Sequence, residues 1–242
     1  MKRRMKRRLA ASAGALLLLA LIVIAAAPAR LVWRHSVVPQ LPQLEAAEVS
    51  GPWWRGKVQG LSWKQVDLGT LSWHPGADGW RLKLAAGDQA RLAAHAPWDF
   101  DGQRLNHVAG RWPARVLAPL LPATPGGSLH LTLDSVSLTP GLRITGSARW
   151  RDANLGGAVD VALGEVAIDL KPAASGTRIR LSSHQAGTVM IRGTGRLHDD
   201  GGYRFRVDLR AAPAQDALAR QLRRLGRSRP DGSVRITLED NG

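Results

Sequence analysis

Seven histidines and nineteen carboxylates are the residues of this 242-residue chain best equipped to bind a metal or move a proton. Their spacing gives them no common task. His35, His74, His95, His107, His130, His184 and His198 include no H-x-H or H-E-x-x-H pair, the spacings that set two ligands on one face of a strand or helix. Several fall in or after turns, so they read as exposed loop residues. Asp199-Asp200-Gly201-Gly202 offers oxygens to a hard cation, yet Asp and Gly also suit the backbone angles of a hairpin tip, and the tip is the better account. Arg192-Gly193-Thr194-Gly195 lacks the spacing of a phosphate loop and leads into no clear helix. No G-x-S-x-G nucleophile elbow occurs. Without cysteine there is no thiol nucleophile, zinc-thiolate site or disulfide. No catalytic, cofactor-binding or metal-binding residue is therefore expected, and the chain reads as non-enzymatic. A periplasmic glycosidase or esterase has no motif to support it.

Charge is the remaining chemistry. The formal charge is +15, and six of those cations stand in the opening MKRRMKRR. Residues 30–242 hold 28 cations against 19 acids, a net +9. The arginines are dispersed along alternating segments, which suits a solvated face. Arg220, Arg223, Arg224 and Arg227 gather at the end of a predicted helix, where cations complement the helix dipole and where an acidic partner or anionic lipid could also dock.

These groups are positioned first by a membrane. Residues 1–8 form a basic tag without acids, and Leu9–Ala29 follows with no charged side chain. About 21 residues at about 1.5 Å each span about 31 Å, the thickness of a bilayer's hydrocarbon core. The cations hold the N-terminus in the cytoplasm, and the bulk of the chain lies across the membrane, away from nucleic acid. Ala27-Pro28-Ala29 also offers small residues for signal-peptide cleavage, but the apolar run is longer than an ordinary signal core, which favours a retained signal anchor. Arg8, Arg30, Trp33 and Arg34 flank the span and are the expected membrane-interface anchors.

Residues 30–48, interrupted by Pro39 and Pro42, read as an extended stalk. From 49 to 242 the pattern is that of strands. Trp80–Leu84, Leu129–Asp134, Arg178–Leu181, Tyr203–Leu209 and Val234–Glu239 alternate apolar and polar residues. A period of two with one face buried indicates an antiparallel sheet. Short helices are predicted over 113–121 and 213–225, each with proline near its first turn. After the first comes PGGSLHLTLD (125–134) and after the second PDGSVRITLE (230–239), five identities in ten residues. The order turn, strand, helix, P-x-G-S, strand thus occurs twice. The expected fold is mainly β, a curved antiparallel sheet of two related halves (about 49–134 and 135–242), each with a short helix, behind a single N-terminal transmembrane helix. Eight of the nine tryptophans lie between Trp33 and Trp112, and most are assigned to packing between strands.

Four segments carry a family resemblance. Residues 49–57 read VSGPWWRGK, residues 68–73 read LGTLSW, residues 144–156 read ITGSARWRDANLG, and the closing region from Gly193 to Gly242 runs from a G-x-Y strand through a leucine helix to a terminal N-G. With the basic start and anchor, in this order, they resemble the N protein family of the type II (general) secretion pathway of Gram-negative bacteria. The resemblance implies a single-pass, inner-membrane, non-enzymatic accessory component whose bulk is periplasmic and whose partners are other secretion-apparatus subunits. It implies no site residue; Gly51 and Gly56 read as turn residues, Trp54 and Trp73 as packing. The alternative is a lipid-binding or lipid-bridge protein of the AsmA type, in which the apolar face of the sheet lines a groove.

Overall fold

A computed structural model describes residues 27–39, 44–63, 66–98, 104–121, 123–137, 142–157, 160–199, 202–213, 215–223 and 226–240. The tag, Arg8 and nearly all of the expected span at 9–29 lie outside them. Among the described residues, no helix is long and apolar enough to cross a membrane. The chain forms two compact units, one up to Ala77 and one from Asp78 onward.

In the first unit, β3 (Gly56–Trp63) pairs antiparallel with β1 (Leu44–Glu45), β2 (Glu48–Ser50) and β4 (Val66–Pro75). The segment expected as an extended stalk differs. It is α-helical over Ala29–Val32 and π-helical over Trp33–Val37, and β1 and β2 then pair with β3. Pro39 has no N–H to carry the helix onward, so helical structure stops before it.

The second unit is an antiparallel meander of β5 (Gly79–Ala86), β6 (Ala90–Pro97), β7 (Arg104–Pro113), β8 (Thr124–Ser137), β9 (Arg143–Gly156), β10 (Val161–Ala173), β11 (Gly176–Ala186), β12 (Val189–Leu197) and β13 (Tyr203–Ala211), each pairing with the next. β15 (Val234–Asp240) then lies between β13 and β14 (Arg227–Ser228). All five alternating segments fall within strands. Residues 134 and 135, between which the two halves were divided, are consecutive inside β8.

Register puts the apolar residues on one face. Leu129, Trp150 and Val166 stand opposite one another on β8, β9 and β10, as do Ile191, Leu209 and Val234 on β12, β13 and β15. They belong to one core with Leu163 and Val189, and the short helices cover it. Ala114 with Val116 and Leu117 comes from the 3-10 helix Ala114–Leu120, and Leu218 with Leu222 from the α-helix Asp216–Leu222. Both helices are shorter than expected. Pro113 is extended and stands outside the first, and Pro119 inside it has no N–H for an α ladder. The second starts only at Asp216, whose carboxylate suits a first turn.

At the other end the sheet curls. Thr177, fully buried, accepts a hydrogen bond from the Ile144 N–H at 2.8 Å and donates to the Leu142 carbonyl at 3.1 Å. Ile144 is on β9 and Thr177 on β11, two strand spacings of about 4.8 Å apart in a flat sheet, so the contact requires strong curvature. Leu133, Val108 and Leu170 form a second core there with Ile144 and Ile179.

Leu222→Ala removes the fully buried side chain that pins the second helix, and is expected to lower the unfolding free energy by about 2–5 kcal/mol. Met190→Ala, at an exposed position, is expected to change it by less than about 0.5 kcal/mol. Urea denaturation of the detergent-solubilised chain checks both.

Candidate functional site

Five histidines, those at 74, 95, 107, 130 and 184, sit within strands rather than loops. A cleft of about 300 Å³ brings His95 and His107 together with Asp78, Arg81 and Lys83. Sequence spacing hides this pairing, because His107 takes φ 50° at a register shift between β6 and β7. His95 Nε2 lies 3.1 Å from the Asp78 carbonyl and 3.4 Å from its carboxylate. Among the described residues, no hydroxyl lines the cleft to serve as a nucleophile. Among the described residues, no group of three or more histidine or acidic side chains is placed to hold a metal ion.

The polar face of the second unit carries its charge in rows. Register aligns Arg91, Arg111, His130 and Arg149 directly across β6 to β9. Burial pushes the His130 pKa down, and the cations Arg151 and Arg111 push it further. Glu165 answers the cations there, at 3.4 Å from Arg149 and 3.8 Å from Arg151. A second row aligns Lys171, Arg178, Arg196 and Arg204 across β10 to β13 and ends on Glu239 of β15. Arg204 pairs with Glu239. Among the described residues, the ion pairs include none of Lys171, Arg178 and Arg196, all exposed. The sequence shows these cations as dispersed. The β10–β11 turn, which sets Ala173 opposite Gly176 and so Lys171 opposite Arg178, is the signal that gathers them. Arg223, in the basic helix end, donates to the Ala219 carbonyl of its own helix at 3.4 Å.

The expected interface residues Arg30, Trp33 and Arg34 share one helical segment, where both arginines are exposed and Trp33 is half-buried. Leu31, Val32 and Val38 beside them are exposed apolar residues. This segment is clasped by the motif at 49–57. The Ala29 N–H donates to the Gly51 carbonyl and the Trp53 N–H to the Ala27 carbonyl, each at 2.9 Å. Gly51 takes φ 86°, as a turn residue should. Gly56 serves another purpose. It is buried in β3, and a Cβ there would lie 2.1 Å from the Trp73 ring. The Trp73 indole N–H in turn donates to the Trp53 carbonyl at 2.7 Å.

On β13 and β15, Arg235 donates to both oxygens of Asp208 at 2.8 and 2.7 Å. That pairing holds the Asp208 carboxyl below the usual carboxylate range, against the opposing effect of burial. A depressed folded-state pKa means stability that is present above the unfolded value near about 4 and lost as pH falls through the folded value. Asp208→Asn is therefore expected to shrink the loss of urea midpoint between about pH 6 and about pH 3. An unchanged acid loss would show that the pair contributes nothing to it.

No curated protein and no solved structure matches this chain. The family model for type II secretion system protein N matches residues 42–237, from the start of the first unit's strands through most of β15. With that match over most of its length, the chain belongs to the protein N family of the type II secretion system.

Proposed function

We propose that this chain is an inner-membrane, single-pass, non-enzymatic accessory subunit of the type II secretion apparatus, acting through periplasmic contacts with other subunits. The family match over 42–237 carries the reading. The apolar run 9–29 behind its basic tag supplies the anchor and the cytoplasmic N-terminus. Arg30, Trp33 and Arg34, on a segment with exposed Leu31 and Val32, suit the membrane interface. The clasp supports retention of the anchor. Cleavage after Ala29 would strip Ala27 and Ala29 of their bonds to Trp53 and Gly51 and remove a residue that is 1% exposed.

The two halves, 49–134 and 135–242, read as a duplication on local grounds. Each helix is followed by a P-x-G-S segment whose serine (Ser128, Ser233) and next residue (Leu129, Val234) are buried, and both helices pack on one core. The same packing favours the scaffold over the lipid-groove alternative. A bound acyl chain would have to displace Leu222 and Val116 from the apolar face that they cover.

A clean deletion is expected to impair release of folded exoproteins, with restoration by the full chain on a plasmid. Intact mass of the membrane-extracted protein is expected to include residues 9–29; a species lighter by about 3 kDa, the mass of about 29 residues, would overturn the anchor. Native mass spectrometry of the same sample is expected to be free of stoichiometric lipid.

A further inference from the structure

We infer that the row Lys171, Arg178, Arg196 and Arg204 is a docking strip for an acidic surface of a partner protein in the secretion apparatus, an inference that rests on the function proposed above. Directly opposed residues on neighbouring strands have Cβ atoms about 4.5–5.5 Å apart, and like charges there destabilise the sheet. Here three successive contacts, Lys171 to Arg178, Arg178 to Arg196 and Arg196 to Arg204, oppose cation to cation. Sheet formation gains nothing from that order. An acid at any one position would relieve it, as Asp169 opposite Arg180 does in the adjoining row. The row extends about 14 Å across four strands, and Arg180 and Arg206 flank it on the same face. Three of its four members are arginine, whose planar fork suits paired carboxylate oxygens.

The surroundings favour a protein over a membrane surface. Glu239 closes the row at β15, and Asp169 stands on β10 two residues from Lys171. Carboxylates at these borders repel the continuous anionic plane of a bilayer. Against a protein they fix register, since a displaced partner would bring acid to acid.

The test is a triple variant, Lys171→Gln/Arg178→Gln/Arg196→Gln, against an equal-charge control of exposed cations that face no cation across a strand pair, Arg81→Gln/Arg104→Gln/Arg115→Gln, both in the full chain. The row variant is expected to melt about 2–5 °C higher once the repulsion is gone, while the control does not. It is expected to bind poly-L-glutamate at least about ten-fold more weakly at low salt, with a smaller loss for the control. In cells it is expected to impair exoprotein release at normal protein abundance, where the control restores release to the deletion strain. Normal release by the row variant, an unchanged or lower melting temperature, or equal loss of binding in both variants would overturn the docking strip. Selective loss of binding to vesicles of 30% phosphatidylglycerol in phosphatidylethanolamine, with poly-L-glutamate binding intact, would assign the row to lipid and overturn it too. If the deletion strain itself releases exoproteins normally, the failure lies with the proposed function; if the deletion is defective and the row variant is not, the failure is confined to the strip.

Discussion

The second unit depends on one constraint, that side chains of a strand alternate between faces while its apolar residues must all reach the same core. Where simple alternation would fail, the backbone adds a residue. Trp150, Ala153 and Leu155 on β9 belong to the same core despite their uneven spacing, because Asp152 takes φ 50° between them. Leu163 and Val166 on β10 stay together through Gly164 at φ 74°. On β11 the register skips His184, so that Gln185 opposes Glu165 while Ser183 opposes Val166. An unpaired extra residue bends its strand and raises local twist, and without it a one-residue slip would turn the apolar set to water. The irregularities occur on three neighbouring strands, beside the part of the core that the two helices cover.

The same alternation fixes what the opposite face can be. Every apolar residue sent inward leaves its neighbours outside, and in this chain arginine recurs among those neighbours, as at Arg149, Arg178, Arg196, Arg204 and Arg206. Some are matched locally, as Arg149 and Arg151 are by Glu165 and as Arg235 is by Asp208. Exposed pairs such as that of Arg149 with Glu165 contribute little to stability, so much of the pattern of matched and unmatched charges is set by little in the fold itself. Stability resides in the apolar face; the polar face is free to be shaped by whatever it meets.

Legibility followed the same division. Strands such as Tyr203–Ala211 and, as far as Glu239, Val234–Asp240 alternate without interruption, and their sequences announce both the element and the buried face. β10 reads VALGEVAIDLKPA, and its period breaks at Gly164-Glu165, where the extra residue sits; a period-two search is blind there. The helices were visible from their leucines, but their lengths were not, since proline chemistry at 113 and 119 and the late start at Asp216 decide them. The cationic row was the least legible feature. Its four members span 33 positions in sequence, from Lys171 to Arg204, and only the register of three hairpins makes them neighbours.

The motif at 49–57 shows what spacing of tryptophan and glycine can do for structure alone. Trp53 uses its backbone twice, donating its N–H to Ala27 and accepting the Trp73 indole N–H at its carbonyl. That second bond places the Trp73 ring over Gly56, where no Cβ is tolerated. Gly51 must hold a left-handed turn for its carbonyl to meet the Ala29 N–H, and a Cβ there would meet the Arg55 carbonyl oxygen at 2.5 Å. Each residue is thus required by the next, and the chain of requirements ends at Ala29, the last residue of the apolar run. Trp54, by contrast, is exposed, so the tryptophan pair divides its duties between clasp and surface. The physical consequence is that the segment leaving the apolar run is held by two backbone hydrogen bonds within three residues of its end, and the first unit is mounted on that segment by a fixed clasp in place of a free tether.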